Sequence, residues 1–595
     1  MAQQTVSLFV VLVVASCAHE RPRVSSPPPG DAPAASLSTP QVSAPSAPPR
    51  EDQLLAAMSL EQKVGQVMLV GFPGFAVDDS VAALLQQRHV GGVVLFKRNI
   101  DTAEQVARLN DELRALFEGG VPPFIAVDQE GGNVVRLSDR NVVLPGNMVL
   151  GATRDAQLAY EAGRAQGEDL RRLGFNMNLA PVLDVNSNPR NPVIGIRSFS
   201  DDVALVSALG VQFVRGQQAA RVVTVAKHFP GHGAADTDSH HALPVVNAPE
   251  AVLRHQLAPF VAAMHAGLDG MMTAHIATPT LTNGDATPAT LSRHLLGNVL
   301  RDELGFGGLV VTDELEMDAI DARYGVGPAA VLAVNAGADM VMVPWRAEKV
   351  DEVREALLEA ARTGELPGSR LDEAVRRVLK AKLARGVFEP LAPRAERLAG
   401  LGMDHDVVTR IASAGVTLLK TDRRVFPLPA GKKVAVITAE AALSRELTAR
   451  VPGATSLVVP AWPRPTQRAE LKRQAKTLAE GADVVVVGVV NSHQSELVAL
   501  AQLSGKPVVA VVMGAPYLGV QLPGASVVLT VYSYRESTAE AAAKALVGSL
   551  RPSGRLPVAL PRMPFGFGLD VSGRRLPEAV QASTTSEAVV SPGQP

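Results

Sequence analysis

Eight short, continuously apolar runs recur along the first two thirds of the chain, each followed by a loop and an amphipathic helical pattern. They are GQVMLVGF (65–72), GGVVLF (91–96), FIAVDQ (124–129), FNMNLAPV (175–182), VVTVAKHF (222–229), GMMTAH (270–275), GLVVTDE (308–314) and DMVMVP (339–344). A strand exposed on one face alternates apolar and polar residues, whereas a strand apolar throughout must be covered on both faces. Such strands, alternating with helices, predict an α/β fold with a parallel sheet under helices. Eight βα units from about Asp52 to Val387 fit a TIM (β/α)8 barrel, with a doubly wound open sheet as the alternative. Polar residues separate the two. Asp128, Asn178, Lys227, His228, His275 and Asp313 stand at the carboxyl ends of predicted strands. A barrel brings those ends to one face, where barrel active sites sit; an open sheet strings them along an edge.

A second, smaller α/β pattern follows: KKVAVIT (432–438), ADVVVVGVV (482–490), KPVVAVVMG (506–514) and ASVVLTVYS (525–533), closing on SGRLPVALP. It predicts an α/β sandwich. No phosphate-binding glycine fingerprint stands at its first strand–helix turn, so no nucleotide is expected there. The stretch FEPLAPRAERLAGLGMD reads as a linker. The expected division is a barrel over 51–387, a linker over 388–404, a sandwich over 405–570 and a disordered tail over 571–595.

The amino terminus carries VSLFVVLVVASC, an apolar run of signal-peptide length, too short to span a bilayer permanently. It ends in Val14-Ala15-Ser16-Cys17, which resembles the bacterial lipobox, so residues 1–17 read as a lipoprotein-type signal and Cys17 as the lipidated residue. The lipid would hold the protein at the cell envelope. Ala18, standing where an aspartate would retain a lipoprotein at the inner membrane, favours the outer membrane if the host is Gram-negative. MAQQT lacks the usual basic n-region, and a plain secretory signal is the alternative. Residues 18–50, rich in Pro, Ala and Ser, read as an extended tether. Cys17 is the sole cysteine, so no intramolecular disulfide can form. With 57 basic against 59 acidic residues and no basic stripe, no nucleic-acid partner is implied.

The densest chemistry is KHFPGHGAADTDSHHALP (227–244). In the barrel frame Lys227 and His228 end the fifth strand, and FPGHG makes a tight turn. An aspartate two residues before a histidine, as in Asp238-Ser239-His240, can bond the imidazole, fix its tautomer and raise its pKa. Asp313, ending the seventh strand, is the candidate nucleophile or second carboxylate. Asp128, Arg136 and Arg197 lie on other loops and could grip a sugar or an anion. Each residue also has a structural reading: Asp313 as a helix cap, Lys227 in an ion pair, Arg136 on a surface helix. His228, His232, Asp238, His240 and His241 are of zinc-ligand type, but no helical His-x₃-His or cysteine partner fixes a geometry, so no metal is expected.

KHFPGHG, four residues, then DSH, with LP at 243–244, resembles the signature of bacterial β-N-acetylglucosaminidases of glycoside hydrolase family 3. DQEGG, NLAPVLDVN, RSF, MTAH and TDELEM are similar to that family's blocks, in its order, and ASAGVTLLK through SGRLPVALP to its second domain. The resemblance implies Asp313 as nucleophile, His240 as general acid/base and Asp238 as its orienting partner. It implies Asp128, Arg136, Arg197, Lys227 and His228 as binders of the sugar hydroxyls. Glu314 and Glu316 fall beyond the strand end and are weaker candidates for nucleophile. The implied reaction is removal of terminal N-acetylglucosamine from cell-wall muropeptides or chitin-type oligosaccharides, with retention and without cofactor. Asp238 and Asp313, both anionic, would favour protonated His240 before the first step. Phosphate could replace water as acceptor. A β-glucosidase or xylosidase of the same family, and a non-catalytic glycan-binding lipoprotein, are the alternatives.

Overall fold

The computed structural model describes residues 48–577, except Pro523. The signal-peptide, Cys17 and tether readings up to residue 47, and the tail reading from residue 578, lie outside the described residues. Eight parallel strands close into a barrel in sequence order: β1 (Met68–Val70), β2 (Gly92–Leu95), β3 (Phe124–Val127), β4 (Met177–Asn178), β5 (Val223–Phe229), β6 (Gly270–Thr273), β7 (Leu309–Glu314) and β8 (Met340–Val343). β1 pairs with β8, Leu69 opposite Met342, which rules out the open sheet.

The continuous apolar runs still obey a period of two. Leu69, Val94, Ala126, Val225, Val311 and Met342 belong to one buried cluster inside the barrel. Their chain neighbours Val70, Val93, Ile125, Ala226, Val310 and Val341 join the cluster packed under the surrounding helices. β4 is shorter than its apolar run because Pro181 has no N–H for the ladder. Pairing resumes beyond it, where Leu183 donates to the Lys227 carbonyl at 2.7 Å.

Residues 388–404, between barrel and sandwich, are partly helical. They contain the helix Arg394–Ala399. The largely buried Arg397 ties it to the barrel, donating to Asp111 at 2.7 Å and to the Arg172 carbonyl at 2.9 Å.

The second sheet has six strands in the order β11-β10-β12-β13-β14-β9. β10 (Val434–Thr438), β12 (Val484–Val489), β13 (Val508–Val512) and β14 (Val527–Thr530) are the expected core. β9 (Thr417–Lys420) and β11 (Thr455–Val458) were not expected from the apolar pattern. β9 pairs antiparallel to β14, and β11 is an exposed edge whose TSLV carries little apolar signal. Hydrogen bonds that join sandwich to barrel include Arg535 Nε to the Gly132 carbonyl at 2.7 Å, Asn186 Nδ2 to Tyr517 Oη at 2.9 Å, Ala559 N to Asp201 at 2.8 Å and the Arg555 amide to the Ala152 carbonyl at 3.0 Å.

Candidate active site

A cavity of about 390 Å³ opens at the carboxyl ends of the barrel strands. Asp128, Arg136, Arg197, Lys227, His228, His240 and Asp313 all line it, and Asp238 is bonded to His240. The barrel brings together every catalytic and sugar-binding candidate named from the sequence.

Its floor is a buried ion network. Lys227, near the end of β5, donates to Asp128 Oδ1 at 2.7 Å and meets Glu130 Oε1 at 2.8 Å. Glu130 in turn accepts two bonds from Arg197, at 2.9 and 2.8 Å. Gly131 and Gly132 adopt φ of 91° and 54°, a tight turn directly after Glu130. Burial pushes the Glu130 carboxyl up, but Arg197 and Lys227 outweigh it and hold the pKa well below the carboxylate range. Burial likewise opposes the Lys227 ammonium, and Asp128 and Glu130 reverse it, raising the pKa. Both charges are fixed by their partners, the condition for keeping them buried. Arg136 stands further out, 3.8 Å from Asp128 and 5.6 Å from the Phe96 ring centroid, rather than on a surface helix.

One side of the cavity hangs on Asp184, which is fully buried. Its carboxylate bonds His228 Nδ1 at 2.7 Å and accepts the His232 amide at 2.6 Å. Burial works against its charge, but the His228 imidazole and the His232 amide hold its pKa below the usual range. Asp313 Oδ1 accepts the Glu314 amide at 2.9 Å, so it caps no helix. Burial pushes its carboxyl up; neighbouring His275 and His228, that amide and Lys227 bring it below the ordinary value. Asp313 is therefore anionic at neutral pH. Glu314 is its opposite: burial and the Asp313 charge push it up to about 8. Its neutral form is favoured, which makes it a weaker candidate for nucleophile than Asp313 for a reason independent of its position.

His240 Nδ1 bonds Asp238 Oδ1 at 2.7 Å, and the same oxygen accepts the His240 amide at 2.9 Å. Burial raises the Asp238 carboxyl, and these two bonds more than offset it. With Nδ1 committed, Nε2 is the nitrogen left for a ligand. The His240 side chain is 57% exposed, on a loop over the cavity.

The zinc-type residues divide among these roles: His228 and His232 on Asp184, His240 on Asp238, and His241 exposed. Glu130 and Asp184 are not among the candidates named from the sequence, although both lie in the DQEGG and NLAPVLDVN blocks. The His232 imidazole is buried, which lowers its pKa to about 4, and it is bonded to Ser239 at 3.1 Å.

Residues 59–381 match the glycosyl hydrolase family 3 N terminal domain and residues 416–586 the family 3 C-terminal domain. The chain is 34% identical over 372 residues to Beta-hexosaminidase A of Pseudoalteromonas piscicida, covering 58% of this chain and 62% of that protein. It is 33% identical over 383 residues to Beta-hexosaminidase LpqI of Mycobacterium tuberculosis, covering 62% of this chain and 94% of the relative. It thus spans less than two thirds of the Pseudoalteromonas protein and nearly all of the mycobacterial one. A solved structure, a glycoside hydrolase family 3 beta-N-acetylglucosaminidase from Paenibacillus sp. str. FPU-7, superposes with a TM-score of 0.80 at 37% identity, over 84% of this chain and 99% of that one. A beta-glucosidase from Listeria innocua, 21% identical with a TM-score of 0.70, shares the fold. With both domains of the family in order and the N-terminal one alone matching over half the chain, this protein belongs to glycosyl hydrolase family 3.

Proposed function

We propose that the protein is a retaining exo-β-N-acetylglucosaminidase that releases terminal N-acetylglucosamine from cell-wall muropeptides. The names of its relatives support the sugar, and one observation carries the chemistry. The cavity pairs an anionic Asp313 with a histidine, His240, whose second nitrogen is bound to a carboxylate. In the first step Asp313 attacks the anomeric carbon, the bond to the leaving oxygen breaks, and His240 Nε2 gives that oxygen a proton. In the second step His240 takes a proton from water, which attacks the same carbon and frees Asp313. Asp238 fixes the tautomer that keeps Nε2 toward the cavity. Asp128, Lys227, His228, Arg197 and Arg136 supply the polar wall that fixes the sugar. No cofactor enters this scheme. Lipid attachment at Cys17 and a place in the envelope belong to the same proposal and rest on the lipobox resemblance.

Two assays test it. Turnover of 4-nitrophenyl β-N-acetylglucosaminide should exceed that of the β-glucoside by orders of magnitude, and equal turnover removes the sugar assignment. Muropeptide digestion followed by mass spectrometry, with and without phosphate, should yield free N-acetylglucosamine in both arms; a sugar phosphate would change the acceptor from water to phosphate.

A further inference from the structure

The segment that delivers His240 is unevenly held. Its first half is bound to the barrel by several bonds. Asn191 donates to the His232 carbonyl at 2.8 Å, Asn188 to the Ala235 carbonyl at 2.9 Å, and the Asn188 amide to the Gly233 carbonyl at 3.2 Å. Gly233 presses so closely on the neighbouring backbone that a Cβ there would lie 1.8 Å from the Val185 carbonyl oxygen. From Asp236 to Leu243 the bonding turns inward. Thr237 bonds Asp236, His240 bonds Asp238, and the amides of His241 and Ala242 bond the Asp238 carbonyl. Among the described residues a single hydrogen bond ties this stretch to the rest of the protein: Ser239 Oγ to His232 Nε2, at 3.1 Å.

Burial singles out the same pair. Ser239 is 2% exposed although the side chains on either side of it, Asp238 and His240, are 31% and 57% exposed. His232 is also 2% exposed, and its amide is held by Asp184, the carboxylate that bonds His228. A rigid chain therefore runs from Asp184 through His232 to Ser239, and Ser239 stands between the two members of the Asp238–His240 pair.

We infer that the His232–Ser239 hydrogen bond is the latch that positions His240 over the cavity, with Ser239 a positioning residue for proton transfer. This rests on His240 being the acid/base. A serine that only stabilised the loop would affect all substrates alike. A latch acts through His240, so its loss should fall on substrates whose leaving group needs a proton.

The test compares kcat/KM for 2,4-dinitrophenyl β-N-acetylglucosaminide, which needs little protonation, with that for N,N′-diacetylchitobiose, which needs it. Ser239→Ala should raise the ratio of activated to unactivated substrate roughly tenfold, the scale of one lost hydrogen bond. Ser239→Thr, which keeps the hydroxyl, should restore the wild-type ratio. In a His240→Ala background, Ser239→Ala should change the ratio no further. Equal losses on both substrates, an unchanged ratio in Ser239→Ala, or a further change on top of His240→Ala would overturn the latch. A His240→Ala variant with an unchanged ratio would remove the acid/base assignment itself, and the latch with it. That arm separates the two failures.

Discussion

The barrel and the sandwich are made from the same kind of strand. β12 (VVVVGV) and β13 (VVAVV) are as apolar and as fully buried as β2 (GVVL) and β8 (MVMV). What differs is how each apolar run ends. In the barrel, β3, β5 and β7 run into Asp128, Lys227-His228 and Asp313, and closure turns those ends toward one cavity. In the sandwich the runs end on Thr438, Val489, Val512 and Thr530, in an open sheet whose strand ends are spread apart. Continuous apolar burial is enough to make a parallel sheet. A site also needs charged residues at or near the carboxyl ends of several strands and a closed topology that makes them face one another. Among the described residues the sandwich contacts the site at second hand, through Arg535 on the Gly132 carbonyl two residues after Glu130 and Tyr517 on Asn186 two residues after Asp184.

Substitutions can break or sharpen this contrast. The largest effect belongs to Asp313→Ala, which should cut kcat by roughly 10³-fold or more while circular dichroism shows an intact fold. Asp184→Asn keeps the shape but puts an amide where His228 and the His232 amide require an acceptor. It should lower kcat/KM by about 10- to 100-fold, the scale of one or two lost buried bonds. Glu314→Gln addresses pH. The folded pKa of Glu314 is about 8 against an ordinary 4.5, so its neutral form favours the fold. That contribution is complete below 4.5 and is lost as pH rises through about 8. Between pH 5 and pH 9 wild-type Tm should therefore fall further than that of Glu314→Gln, by a few degrees; parallel curves would show that Glu314 does not carry this load. Arg535→Gln should be smallest, a roughly two- to fivefold rise in KM with kcat kept. A loss as large as that of Asp184→Asn would put the sandwich inside the site and erase the contrast.

The parts of this arrangement that could be read in the sequence are those fixed by position in the chain. The carboxyl end of an apolar run is visible in a linear string, so Asp128, Lys227, His228 and Asp313 could be assigned to one face once the barrel was recognised. The Asp238–His240 pair was legible because its partners are two residues apart. Glu130 and Asp184 were not, since each takes its meaning from a partner 67 or 44 residues away. The two extra sandwich strands were hidden for a different reason. The β11 segment is mostly exposed, so the pattern that betrays buried strands is missing, and β9 is short and pairs antiparallel to its neighbour. Ser239 stands inside the DSH block, but its burial gives no signal in the sequence, because a buried serine between two more exposed polar residues is written like any loop serine.

The central claim is that Asp313 forms a covalent bond to the sugar during turnover. A 5-fluoro N-acetylglucosaminyl fluoride slows breakdown of such an intermediate, and digestion followed by mass spectrometry locates the label. The account predicts one sugar on the peptide that contains Asp313, lost again when the reagent is removed and the enzyme is left to turn over. A label on another carboxylate, or an unlabelled enzyme that turns the reagent over while Asp313→Ala keeps wild-type activity, would contradict it.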